Sequence, residues 1–156
     1  MWREMITLED FNEMASLREN FGCGINKTGQ IYLNIIERKT DCHYYRYESD
    51  KIELIKGYKE LNGVINLIAY TIKAELEDYP EAVRLMAEHA KEYLSTRTIK
   101  KLAIYYGSDD EIQMNEANIG IGKIGFSEFM KIVIEEYGKI GFKTTFGKNE
   151  VTNELI

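Results

Sequence analysis

A chain of 156 residues, 44% hydrophobic and 29% charged, has the size and composition of one globular domain, so residues 1–156 are expected to fold as a unit. Its 26 acids against 20 bases leave a net charge of −6, which argues against non-specific nucleic-acid binding yet falls short of the acid density of a DNA mimic. No apolar run approaches the length of a membrane span and no leader pattern opens the chain. Two cysteines, Cys23 and Cys42, lack CxxC spacing, so reduced thiols and a cytoplasmic location are expected.

Thr7 followed by Leu8-Glu9-Asp10 reads as an N-cap with acids in the first turn, and the helix is expected over about 8–20. After the turn cluster Asn26 to Gly29, apolar residues alternate at Ile31, Leu33 and Ile35. His43, Tyr45 and Tyr47 then share one strand face, with Tyr44, Arg46 and Glu48 on the other, and Ile52 and Leu54 mark a short third strand. The stretch 22–56 therefore reads as an antiparallel meander ended by Gly57. From Tyr58 to Asp78, Leu61, Ile65, Ile68, Ile72 and Leu76 fall at helical steps, which predicts a central buried helix. Pro80 opens a further helix to about Leu94, with His89 on its solvated side. Leu102, Ile104 and Tyr106 predict a strand, and Asp109-Asp110 turns it into a partner at Ile112 and Met114. A helix over about 126–137 and a strand at Phe142 to Phe146 follow, with 147–156 as a fraying tail. The fold class is α+β: an antiparallel sheet with helices mainly on one face, in the rough order α-βββ-αα-ββ-α-β.

Chemistry is harder to find. Gly120-x-Gly122-Lys123-x-Gly125 stands between a strand and a helix, where glycines let a backbone approach a phosphate. A dinucleotide fold opens on this motif and has an acid ending its second strand, whereas here the motif lies late in the chain and the strand after it offers only Lys148 and Glu150. Gly120-Ile121-Gly122 ahead of a helix also resembles the pyrophosphate loop of acetyltransferases, and Tyr137-Gly138-Lys139-Ile140-Gly141-Phe142 resembles their late aromatic–glycine segment. The pattern departs from that family in two ways: Ala117 stands where the loop carries Gln or Arg, and one helix has to serve both segments. The resemblance is therefore carried as the alternative, a small-ligand, nucleotide or coenzyme-A-binding protein or transferase using Gly120, Gly122, Lys123 and Gly125. Cys42 and His43 are adjacent in a strand and face opposite ways, so neither a metal site nor a nucleophile–base pair assembles locally; no metal and no catalytic residue is assigned.

The remaining features are eleven tyrosines and an acidic turn. Tyr44, Tyr45, Tyr47, Tyr105 and Tyr106 offer rigid aromatic area of the kind found at interface hot spots, and Asp109, Asp110 and Glu111 could rim it. The leading reading is a non-enzymatic, cofactor-free protein-binding module, a small inhibitor, immunity or adaptor protein acting by steric occlusion. The abundance of Ile, Lys, Glu, Asn and Tyr suits a low-GC bacterium, its phage or a mobile element. Its partner would be another protein, with no nucleic acid or membrane, and a homodimer through a strand edge is compatible with it.

Overall fold

The computed structural model describes residues 1–19, 42–61, 63–105, 124–147 and 150–156. A short strand β1, Trp2–Glu4, precedes helix α1, Leu8–Glu19. The start of α1 is a reciprocal cap. Asp10 N–H donates to Thr7 Oγ1 at 3.1 Å, while the Asp10 carboxylate accepts from Thr7 N–H at 3.2 Å and Ile6 N–H at 3.0 Å. Burial pushes the Asp10 carboxyl up, but its bonds to Arg3, Thr7 and Ile6 outweigh this and hold it at about 2. The Thr7 cap expected from sequence is therefore present. Strand β1, which adds an edge to the sheet, was not anticipated.

Strands β2 (Cys42–Glu48), β3 (Glu53–Leu61) and β4 (Val64–Lys73) form two antiparallel hairpins. The helix expected over 58–78 is replaced by the end of β3 and all of β4, joined at Gly63, whose φ of +74° suits a residue without a side chain. The cause of that error is legible in the register. Ile55 pairs with Thr71 and Gly57 with Ile68, so Ala69 and Tyr70 together stand opposite Lys56. This β-bulge inserts one residue, and the inward set Ile65, Leu67, Tyr70, Ile72 and Ala74 is a period-2 pattern with one slip. A slipped alternation imitates helical spacing.

A 3₁₀ turn, Leu76–Asp78, runs into helix α2, Tyr79–Ser95, with Pro80 in its first turn as expected. Strand β5 (Lys101–Tyr105), helix α3 (Phe126–Lys139) and strands β6 (Phe142–Phe146) and β7 (Glu150–Leu155) complete the described chain. The tail expected to fray is instead β7, an inner strand between β5 and β6, with Val151 and Asn153 each 1% exposed. The partner strand expected at Ile112 lies outside the described residues.

The sheet order is β1-β2-β3-β4-β5-β7-β6, and β4 with β5 is its parallel pair; the other neighbours are antiparallel. Helices α2 and α3 cover one face, closing a core that includes Leu54, Tyr58, Ile72, Val83, Met86, Phe129 and Val133. On the other face α1 packs Phe11 against Tyr44 at 5.6 Å between rings and pairs Glu13 with Arg46. The class is thus α+β with a mostly antiparallel sheet, as read from sequence. None of the described helices is long and apolar enough to cross a membrane.

Candidate active site

Ligands in open sheets gather at the carboxyl ends of parallel strands, because the crossover helix there turns its positive end toward the gap. Here that place is set by β4, β5 and the crossover helix α2. The β4–β5 ladder contains Ile65 with Leu102 and Asn66 with Ala103, and ends there among the described residues, although β4 runs on to Lys73 and β5 to Tyr105. The bulge at Ala69 and Tyr70 lies just beyond the last pair. A ladder that stops beside a bulge leaves a wedge into which an extended chain could add as a short strand.

Tyr70, turned inward by the bulge, packs edge-on to Phe129 of α3 at 6.1 Å and shares a hydroxyl hydrogen bond with Tyr137 near the end of the same helix. Tyr137 in turn meets Phe142 at 5.2 Å. Burial raises both phenols well above their usual value of 10.0, so each keeps its proton at neutral pH. Both can serve as hydrogen-bond donors, and the same burial makes each a weaker acid than a free phenol.

The N-terminus of α2 has an unusual character for this position. Residues 74–82 contain four acids, Glu75, Glu77, Asp78 and Glu81, with no base and no glycine. An open groove of about 470 Å³ beside it is lined by the acids Asp50, Glu53, Glu75, Glu77 and Asp78 and by Lys51 and Lys73. The 3₁₀ turn also takes up amide donors: Asp78 N–H donates to Glu75 O at 2.9 Å, Tyr79 N–H to Leu76 O, and Pro80 has none to give. Burial, with the nearby Glu75 charge, lifts the Tyr79 phenol to about 12.

A second polar cluster lies under the middle of α2. Lys56 is fully buried, its Nζ donating to Met86 O at 2.5 Å and standing 5.2 Å from the Trp2 ring and 5.0 Å from the Tyr58 ring. Tyr58 shares a 2.8 Å hydrogen bond with His89 Nδ1 and stacks on Tyr93 at 3.9 Å. Desolvation lowers the Lys56 ammonium well below its usual range. Desolvation, reinforced by Lys56, takes His89 to about 3. His89, expected on a solvated helix side, is in fact enclosed by Trp2, Tyr45 and Tyr58. The sequence held no cue for this, because β1, which carries Trp2, was not foreseen.

The residues singled out from sequence are dispersed. Tyr44 is buried under α1, and Tyr45 and Tyr47, half-buried, pack under α2 beside the core. Tyr105 pairs with Glu150 in the sheet, and Tyr106, Asp109, Asp110 and Glu111 lie outside the described residues. Gly125 is the N-cap of α3, while Gly120, Gly122 and Lys123 also lie outside them. Cys42 and His43 sit on opposite faces of β2, with His43 Nδ1 at 3.2 Å from Glu4 Oε1. No group of three potential ligands could hold a metal among the described residues. Tyr70 was missed as a site residue because the bulge that aims it was read as helix. Tyr137 was named only within the aromatic–glycine segment.

No family model matches the sequence, and no curated protein does. Solved structures do match in three dimensions. Two chimeras of the Vibrio cholerae spermidine N-acetyltransferase SpeG with hSSAT superpose with TM-scores of 0.54 and 0.55 at 9% and 10% identity, covering 98% and 99% of this chain and 92% and 94% of theirs. A protein from Desulfovibrio desulfuricans assigned to the GNAT family of acetyltransferases gives a TM-score of 0.54 at 14% identity, over 100% of this chain and 99% of its own. At these identities the likeness is one of fold. It speaks against the reading of the chain as a non-enzymatic inhibitor, immunity or adaptor protein, since the structures that share this fold are acetyltransferases, and it lends nothing to a phage origin or a homodimer. The architecture is a GNAT-like fold, and among the described residues its parallel strand pair is β4 with β5, at the wedge.

Proposed function

We propose that this protein is an acyltransferase that moves an acyl group from a thioester donor to an amine, with the donor's amide arm lying in the β4–β5 wedge. The observation that carries the reading is the end of the β4–β5 ladder at Asn66 beside a bulge that aims Tyr70 at Tyr137. A pantetheine arm is a chain of two amides, and β-addition along residues 67–70 would give those amides main-chain partners. The amine nitrogen bonds to the thioester carbonyl carbon, the carbon–sulfur bond breaks, and the departing sulfur takes a proton from the Tyr70–Tyr137 pair. The amine's own proton passes to water, and water returns one proton to the tyrosinate, so the phenol is restored. A positioned phenol of this kind contributes ~10²-fold or more to rate.

Spermidine acetylation belongs to the two SpeG chimeras named above, and a cationic amine is the acceptor class we extend to this chain. Its net charge of −6 favours encounter with a polyamine over encounter with an anion. Cytoplasmic reaction is part of the proposal, as thioester donors are made and spent there. Acetyl-CoA and S-acetylpantetheine, each offered with spermidine, spermine and simple primary amines, should release thiol in an amine-dependent manner. Absence of amine-dependent thiol release with both donors across the whole panel would refute the reading.

A further inference from the structure

A coenzyme A thioester carries a diphosphate, and an acyltransferase of this architecture would place it at the N-terminus of the crossover helix, where free N–H groups and the helix dipole attract anions. The N-terminus of α2 sets a negative approach and few amide donors against its dipole. Its approach is negative, with Glu75, Glu77, Asp78 and Glu81 on the segment itself and Asp50 and Glu53 across the groove, against Lys51 and Lys73. Its donors are few: the Asp78 and Tyr79 amides bond back to Glu75 and Leu76, and Pro80 has no N–H. It has no glycine through which a backbone could approach a phosphate closely. A diphosphate brought here would meet like charge and few hydrogen bonds. The wedge suits the arm of the donor, and the helix end does not suit its anionic head.

We infer, on the basis of the acyltransferase reading, that the donor is recognised through its amide arm and thioester, and that a diphosphate adds nothing to its affinity. The preferred donor class is then a pantetheine thioester, with or without a nucleotide. Any nucleotide projects past α2 into solvent.

The test needs no turnover. Dissociation constants of coenzyme A and of pantetheine for the whole protein are measured by titration calorimetry at low and at moderate salt. The inference expects the two to agree within tenfold, and coenzyme A to bind no more weakly as salt rises, because screening relieves repulsion. A preference for coenzyme A of tenfold or more at low salt, lost on adding salt, would overturn it. A variant carrying Glu77→Lys and Asp78→Gly, both at exposed or half-exposed positions, should gain at least tenfold for coenzyme A and stay within threefold for pantetheine. An unchanged coenzyme A constant in that variant counts against the inference. Binding of neither molecule would sink the acyltransferase reading itself, and so is distinguishable from failure of the donor preference.

Discussion

Helix α2 overlies two polar regions that treat charge in opposite ways. At its N-terminus the acids of the groove face water and together set a local negative field. Under its middle, Lys56 and His89 are shut away with aromatic rings, and neither has a carboxylate partner among the bonds described for it. A buried charge without a carboxylate partner is costly, so burial disfavours the protonated form of both bases. In the proposed reading the first region selects what approaches the wedge. The second only fills space, at a cost that depends on pH. Perturbed titration by itself would have pointed to the second region as the active site. The strand geometry points to the wedge.

The largest expected effect separates these two roles. Tyr137→Phe should lower kcat by ~10²-fold while the melting temperature moves by only a few degrees. Loss of fold with loss of activity, or full activity, would mean that Tyr137 is core alone. Tyr70→Phe should act in the same direction, being the other half of the hydroxyl pair.

Next comes Lys56. Its carbonyl partner, Met86 O, belongs to the interior of α2, so removing the amine strands no acceptor. Lys56→Met should therefore raise stability at pH 7 by ~1–3 kcal/mol in urea unfolding. The sign follows from its lowered folded pKa: the unfolded chain binds a proton that the folded one refuses, so wild-type stability rises toward pH 10.5 and the variant's advantage shrinks with it. Destabilisation at both pH 7 and pH 9.5 would show the amine to be a net support.

His89 gives the acid counterpart. Its folded value of about 3 against an ordinary 6.5 means that stability falls as pH drops from about 6.5 toward 3, by a few kcal/mol in all. A His89→Gln variant should flatten that limb in unfolding curves taken at pH 4, 5 and 6. An unchanged slope would place the acid lability elsewhere. The smallest effect is at the cap of α1. Asp10 is held at about 2, so its contribution is present above pH 3.8 and is lost below it. Half-exposed Arg3 is screened by solvent, so Asp10→Ala should cost on the order of 1 kcal/mol at pH 7 and nothing at pH 2.

How much of this was legible depends on where the physics is local. The cap at Thr7 and Asp10, the two faces of β2, Pro80 opening α2 and the strand at Phe142 are short-range patterns, and they read correctly. What failed depends on distant contacts. A bulge shifts the phase of β4, and only pairing with β3 reveals it. Strand β7 looks like a polar tail, yet Asn153 and Thr152 are buried because β5 and β6 flank them; Thr144 donates to Asn153 Oδ1 at 2.5 Å. The tyrosines were read for surface, but α1 and α2 cover the two faces of β2 and turn Tyr44, Tyr45 and Tyr47 into packing. The aromatic–glycine segment from Tyr137 did carry a correct hint of fold, and one of its residues now stands at the proposed proton source.

The claim on which the account turns is that a donor arm lies along β4 where β5 leaves it. Backbone hydrogen exchange, followed by mass spectrometry with and without saturating pantetheine, reads this directly. The account predicts slowed exchange in peptides spanning residues 64–73 and 101–105, with peptides over 74–82 and over 1–19 unchanged. Protection confined to the Trp2–Lys56–His89 region, or to the α2 N-terminus with β4 unaffected, would contradict it.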